Sequence, residues 1–229
     1  MVKRDHISVG KAWAIRLIAV ALSLVVAALV IVAVTKQNPI EVYLGIIDGA
    51  VGSNRRIWVT IREMMVLLCI AIGLTPAFKM KFWNIGAEGQ FVVGSLVACV
   101  LGITLKLPAV IHIPLCLLAA AAAGALWSYL VGLLKVKRGI HEVLSFIMFN
   151  WIAFYLSNYV VNIPAIHKEG GGEATKDVAE TARILFPEAV RDVLGCKVAN
   201  WGIILAVAAA VIIWVIIEKT TLGYKLKAV

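Results

Sequence analysis

Six stretches of this sequence are apolar for long enough to cross a lipid bilayer, and most of its charge sits between them. The runs are Trp13 to Val34, Ile57 to Phe78, Gly89 to Leu105, Ala109 to Leu134, Val143 to Val161 and Trp201 to Ile217. Each comes close to or exceeds the roughly 20 residues that a helix needs to pass ~30 Å of hydrocarbon. They predict an all-α membrane protein, a single polytopic helix bundle of about six spans over residues 1–229. After the first run, "NPIEVYLGIIDGAVGSNRR" has a proline, three glycines and too many polar groups to span, and is expected at the surface, part of it as an interfacial helix. The segment from Asn162 to Asn200 is a polar loop. Within it, "VAETARILFPEAVRDV" carries apolar residues at helical spacing and predicts a short surface helix ending near Pro187. That helix either docks a partner or belongs to a solvated lid.

Composition agrees with the pattern. Hydrophobic residues make up 62% and charged residues 15%, where a soluble domain carries about a quarter charged residues. The first run is 22 residues long, beyond the 7–15 residue core of a secretory signal, and no small-x-small cleavage site ends it, so it is a retained span. The net charge of +9 is not matched by a basic patch interleaved with aromatics, which argues against nucleic acid. It is topological instead. With the amino terminus inside, the cytoplasmic segments hold eleven Lys and Arg (Lys3, Arg4, Lys11, Lys79, Lys81, Lys135, Lys137, Arg138, Lys219, Lys225 and Lys227), and the outer segments hold nine, five of them in the long loop. Short loops decide orientation, because long ones translocate largely regardless of charge. The amino terminus is therefore expected in the cytoplasm.

Polar groups inside or beside the spans are the candidates for chemistry. Arg62 and Glu63 fall one turn from the outer end of the second run, where they either snorkel to the interface or line a pathway. "FWNIGAEGQF" (Phe82 to Phe91) puts Asn84, Glu88 and Gln90 at the mouth of the third span. Irregular backbone at membrane depth is tolerated only where protein or a water-filled cavity satisfies it, so these groups either cap and pin the turn or touch a solute. Gly86, Gly89 and Gly94, with Ser95 and Ala98, form a small-residue face that lets a neighbouring helix come close. The alanine-rich run with Gly124 is a second close-packed face. Ser145, Asn150, Ser157 and Asn158 punctuate the fifth span, as glue between helices or as the lining of a polar route.

Several chemistries are excluded. "HEVLS" from His141 lacks the second histidine of a zinc-protease HExxH. Cys69, Cys99 and Cys116 lie in apolar runs and Cys196 alone in the loop, so neither a metal set nor a disulfide framework is indicated. No phosphate-binding G-x-x-x-x-G-K-[ST] loop or nucleophile elbow occurs, and no cofactor is expected; if ATP drives this protein, another chain hydrolyses it.

"FWNIGAEGQFVVGSLVA" (Phe82 to Ala98), "GIHEVLSFIMFNWIA" (Gly139 to Ala153) and "TTLGYKLKAV" (Thr220 to Val229), in this order and spacing, resemble the membrane permeases of bacterial ABC importers for simple sugars and nucleosides, a group that includes ribose and branched-chain amino-acid permeases. The N-I-G-A-E-G-Q string resembles the nucleoside branch most. The resemblance implies a multi-pass subunit of the bacterial cytoplasmic membrane that works with a second, related permease, a cytoplasmic ABC ATPase and an outer solute-binding lipoprotein, and that moves a small polar solute. It implies that Asn84, Glu88, Gln90 and Asn150 belong to the translocation path or its gate. It also implies that residues 218–229 form the cytoplasmic coupling segment, with Thr221, Gly223, Tyr224 and Lys225 meeting the ATPase, and that 162–200 is extracytoplasmic. Members of the family commonly continue through several more spans, so a chain ending at Val229 is expected to be incomplete, and they usually carry Asn where His141 stands. The alternatives are a gradient-driven secondary transporter and an intramembrane enzyme using Glu88 or His141 as a base.

Overall fold

A computed structural model describes residues 8–170, 172–195, 197 and 199–228. Lys3, Arg4, Cys196 and Val229 lie outside the described residues. The described chain is all-α, with isolated bridges His167–Thr175 and Leu185–Asn200 in the long loop. Its helices are α1 (Val9–Thr35), α2 (Pro39–Val51), α3 (Asn54–Lys79), α4 (Ala87–Thr104), α5 (Ala109–Arg138), α6 (Glu142–Val161), α7 (Glu188–Val193), α8 (Gly202–Lys219) and α9 (Thr221–Ala228), with one 3-10 turn over Glu180–Ala182. α1, α3, α4, α5, α6 and α8 are long and apolar enough to cross a membrane, and they coincide with the six expected runs to within a few residues.

The chain divides into two compact units, with the boundary in sequence between Thr60 and Ile61. In the first, Ser8 accepts a hydrogen bond from the Lys11 N–H and starts α1, whose apolar side chains are exposed on all faces, as those of a span surrounded by lipid or partner helices would be. Lys36 closes α1 in the left-handed region (φ 58°). Asn38 caps α2 by accepting from the Ile40 N–H at 3.0 Å, with Pro39 at the first helical position, where its missing N–H costs nothing. The segment between the first two spans, expected to be partly helical, forms α2, and its Asp48 pairs with Arg56.

In the second unit the core is a cluster of α4, α5 and α6. Small residues set the approach: a methyl on Gly94 would stand 3.0 Å from the Ala120 carbonyl, and one on Gly124 3.3 Å from the Gln90 carbonyl. Backbones this close gain dispersion contacts that larger side chains would prevent. α5 ends at Gly139, in the left-handed region (φ 65°), whose N–H bonds the Lys135 carbonyl. Lys135, Lys137 and Arg138 fill the last turn of α5, where the helix dipole favours cations. His141, the residue of the failed zinc signature, caps α6: its Nδ1 accepts from the Val143 N–H at 3.3 Å. Arg62 and Glu63 pair with each other at 2.8 Å, which lowers the cost of charge near the hydrocarbon.

The opposite end of the cluster is closed by the long loop, where one sequence expectation fails. No helix ends near Pro187; the chain makes the 3-10 turn, runs extended through Arg183, and starts α7 directly after Pro187. Proline removes a donor and disfavours helix in the residue before it, so it begins a helix where the apolar spacing had suggested an end. The 3-10 turn is fastened by His112, which is fully buried in α5. Nε2 lies 3.2 Å from the Leu101 carbonyl, which can only accept, and Nδ1 lies 2.9 Å from the Thr181 hydroxyl. In the neutral ring Nε2–H is therefore the donor to Leu101, and Thr181 donates to Nδ1.

Candidate functional site

The turn from Met80 to Gly86 joins α3 to α4 and carries the polar motif. α4 begins at Ala87 with Gly86 as its N-cap, and glycine offers no side chain to satisfy the first amides of a helix. Two asparagines replace the missing cap. Asn84, which is buried, accepts from the Gly86 N–H at 2.9 Å and from Gln90 Nε2 at 3.0 Å. Asn150, from the middle of α6, accepts from the Gly89 N–H at 3.0 Å and donates through Nδ2 to the Ile85 carbonyl at 3.2 Å. Asn84, Gln90 and Asn150 thus converge on one turn, and their bonds pin it. Glu88 does not join them: it stands exposed in the first turn of α4, a position that the helix dipole favours for a carboxylate, with no hydrogen bond or ion pair among the described residues.

The three glycines of the motif meet three different neighbours. Gly86 abuts the buried Phe146 ring, Gly89 lies against Asn150 and Trp127, and Gly94 lies against the Ala120 carbonyl. Trp127 was not singled out from the sequence. Its Nε1–H is buried beside Gly89 with no acceptor among the described residues, an exposed cost unless a polar partner arrives. The signal was a tryptophan inside an alanine-rich run, whose N–H must find an acceptor when buried.

Glu142 was also missed as a structural residue. Its buried carboxylate takes a salt bridge from Lys135 at 2.8 Å, and the Lys135 ammonium lies 5.0 Å over the Phe82 ring. The Lys135–Glu142 pair therefore ties α5, α6 and the motif turn together at this end.

The expected coupling residues lie on α9. Thr220 ends α8; its hydroxyl donates to the Ile216 carbonyl at 2.6 Å, and the Gly223 N–H bonds back to that hydroxyl at 3.3 Å. Gly223 is buried against the α8 carbonyls of Ile216 and Ile217, whereas Thr221, Leu222, Tyr224 and Lys225 are exposed. α9 is thus a short helix folded tightly off α8 with a free outer face.

Asn150→Ala is expected to leave the Gly89 N–H and the Ile85 carbonyl without partners, at a cost of about 1 kcal/mol for this half-buried site. Thermal unfolding in detergent should show a lower midpoint. Asn150→Asp, which keeps the acceptor and loses the donor, should fall in between; equal midpoints for all three proteins would refute the pinning role.

Comparison with known proteins bears on residues 56–229, which match the family model described as branched-chain amino acid transport system / permease component. The chain is 36% identical over 214 residues to the guanosine ABC transporter permease protein NupP of Bacillus subtilis, covering 93% of this chain and 60% of that protein. It is 29% identical over 219 residues to the nucleoside ABC transporter permease protein NupB of Lactococcus lactis subsp. cremoris, covering 93% of this chain and 59% of that one. It is also 29% identical over 164 residues to the glucose ABC transporter permease protein TsgB13 of Haloferax volcanii, with 69% and 43% covered. The chain spans about 60% of the length of the first two relatives. No solved structure matches significantly.

Proposed function

The chain belongs to the branched-chain amino acid transport system / permease component family, and from that premise we propose that it is the membrane-spanning permease subunit of an ATP-driven importer for nucleosides. It is a multi-pass protein of the plasma membrane. The observation that carries the solute class is the 36% identity, over 93% of this chain, to a permease named for guanosine; the more distant glucose relative leaves simple sugars as the second reading.

The partners follow from the same reading: a cytoplasmic ABC ATPase, a second related permease and an outer solute-binding lipoprotein. With the amino terminus in the cytoplasm, α9 and the motif turn face inward and the 162–200 loop faces outward. The exposed face of α9 is the docking element for the ATPase, through Thr221, Tyr224 and Lys225, with Gly223 setting its angle. The motif turn is the gate. Asn84, Gln90 and Asn150 hold its frame, and Glu88 and the Trp127 N–H are the polar groups left for a solute or for the second permease. ATP binding would bias the helices between two packings through differential contact with α9.

The test is reconstitution in proteoliposomes with the neighbouring ATPase, permease and binding lipoprotein. The chain alone should hydrolyse no ATP, and the assembled complex should take up guanosine only with ATP. Hydrolysis by the chain alone would overturn the reading. Uptake that survives ATP depletion and collapses with the ion gradient would establish the secondary-transporter alternative instead.

A further inference from the structure

At the far end of α6 from the motif, an open cavity of about 530 Å³ is lined by Asn158, Tyr159, Asn162, Ile163, Pro164 and Glu173. The size is that of a small-ligand pocket, typically ~300–1,000 Å³. Its second wall is fixed by the loop's own bonds. The loop doubles back through the bridge His167–Thr175, the Lys176 N–H bonds the Ile166 carbonyl at 2.7 Å, and the Lys176 ammonium reaches the Ala165 carbonyl at 3.0 Å. Farther along, the Ala179 N–H bonds the Gly102 carbonyl at 2.9 Å and Thr181 meets His112. Glu173 is thus held opposite the end of α6 by a fastened segment.

The polar groups facing this space keep hydrogen-bonding capacity to spare. Asn158 and Asn162, the residue that closes α6, are one turn apart, and of their side-chain groups only Asn162 Nδ2 is engaged, donating to the Asn158 backbone carbonyl at 2.8 Å. The Asn158 amide and the Glu173 carboxylate have no hydrogen bond or ion pair among the described residues. Tyr159 is 72% exposed. An aromatic face, an amide offering both donor and acceptor, and a carboxylate fit a specific kind of solute: a flat, uncharged ring with hydrogen-bonding edges, joined to a vicinal diol. A base stacks on an aromatic ring whatever its identity, an amide reads its edge, and a carboxylate accepts from ribose hydroxyls. We propose that this cavity is a solute-receiving subsite for nucleosides, with Tyr159 stacking the base, Asn158 and Asn162 contacting its edge, and Glu173 holding the ribose 2′ and 3′ hydroxyls. The proposal rests on the nucleoside reading above and adds to it a place where the solute first meets the permease.

The test is saturation-transfer NMR on the chain in lipid nanodiscs, with guanosine, 2′,3′-dideoxyguanosine and glucose as probes. Tyr159→Ala should weaken guanosine binding by about tenfold, while Tyr159→Phe, which keeps the ring, should stay within about twofold. Glu173→Gln should lower guanosine to the level of the dideoxy compound and leave the latter unchanged, a signature that general loosening of the loop would not produce. No guanosine signal from the wild type, variants that bind as the wild type does, or glucose competing as well as guanosine would each overturn the subsite. The transport reading is judged separately, by ATP-driven guanosine uptake in the assembled importer. Uptake with binding indifferent to these substitutions defeats the subsite alone; no uptake defeats the transport reading.

Discussion

Gly86→Ala should destabilise the protein more than any other single methyl added to the motif. A Cβ at this buried position would overlap the Phe146 ring at Cδ1 and lie 2.7 Å from its Cε1. Phe146 cannot swing away, because it is completely buried and packs edge-on against Phe82 with centroids 5.7 Å apart. Backbone strain is not the cause: Gly86 has φ −89°, which any residue adopts. The cost is overpacking, typically ~1–3 kcal/mol, met by moving the turn or the ring. Thermal unfolding of the detergent-solubilised protein measures it, and a double-mutant cycle identifies its source. Phe146→Ala alone should also destabilise, by leaving a cavity. Combined with Gly86→Ala it should cost less than the two singles together. Simple additivity would mean that the methyl does harm somewhere other than at this ring.

The second large effect should be on coupling and not on stability. At Gly223 a methyl would overlap the Ile217 carbonyl oxygen and lie 2.5 Å from that of Ile216. Both are backbone atoms, so neither can rotate aside. Gly223→Ala must therefore swing α9 away from α8, carrying the exposed Leu222, Tyr224 and Lys225 with it. Because α9 presents most of its surface to solvent, the thermal midpoint of the chain should change little. ATP-driven uptake by the assembled importer should fall on the order of tenfold, within the range typical of coupling between sites. Tyr224→Ala tests the same surface without moving the helix. If Gly223→Ala leaves uptake intact, or if it unfolds the chain, α9 does not act as an oriented docking element.

How much of this was legible in the sequence depended on range. The spans could be read because a membrane helix needs a long apolar run and little else. The polar motif was half legible: the cost of a buried amide shows that Asn84, Gln90 and Asn150 need partners, but not that Asn150 would serve Gly89, 61 residues away in the chain. Glu142 and Lys135 face each other across a helix end and a turn, and pairing over such a corner follows from the angle between helices, which residue spacing does not encode. The loop misled at Pro187 because apolar spacing at helical period was weighed above the proline. His112 passed unnoticed in an apolar run, although an imidazole there must find two partners, and that need was the available clue.

The fastening of the 3-10 turn by His112 has a mechanical consequence. One imidazole of α5 grips the last turn of α4 with one nitrogen and the loop with the other, so any load placed on Thr181 divides between two helices at once. The loop is therefore tied to both helices through one side chain, and a tug from that side is expected to reach α4 and α5 together.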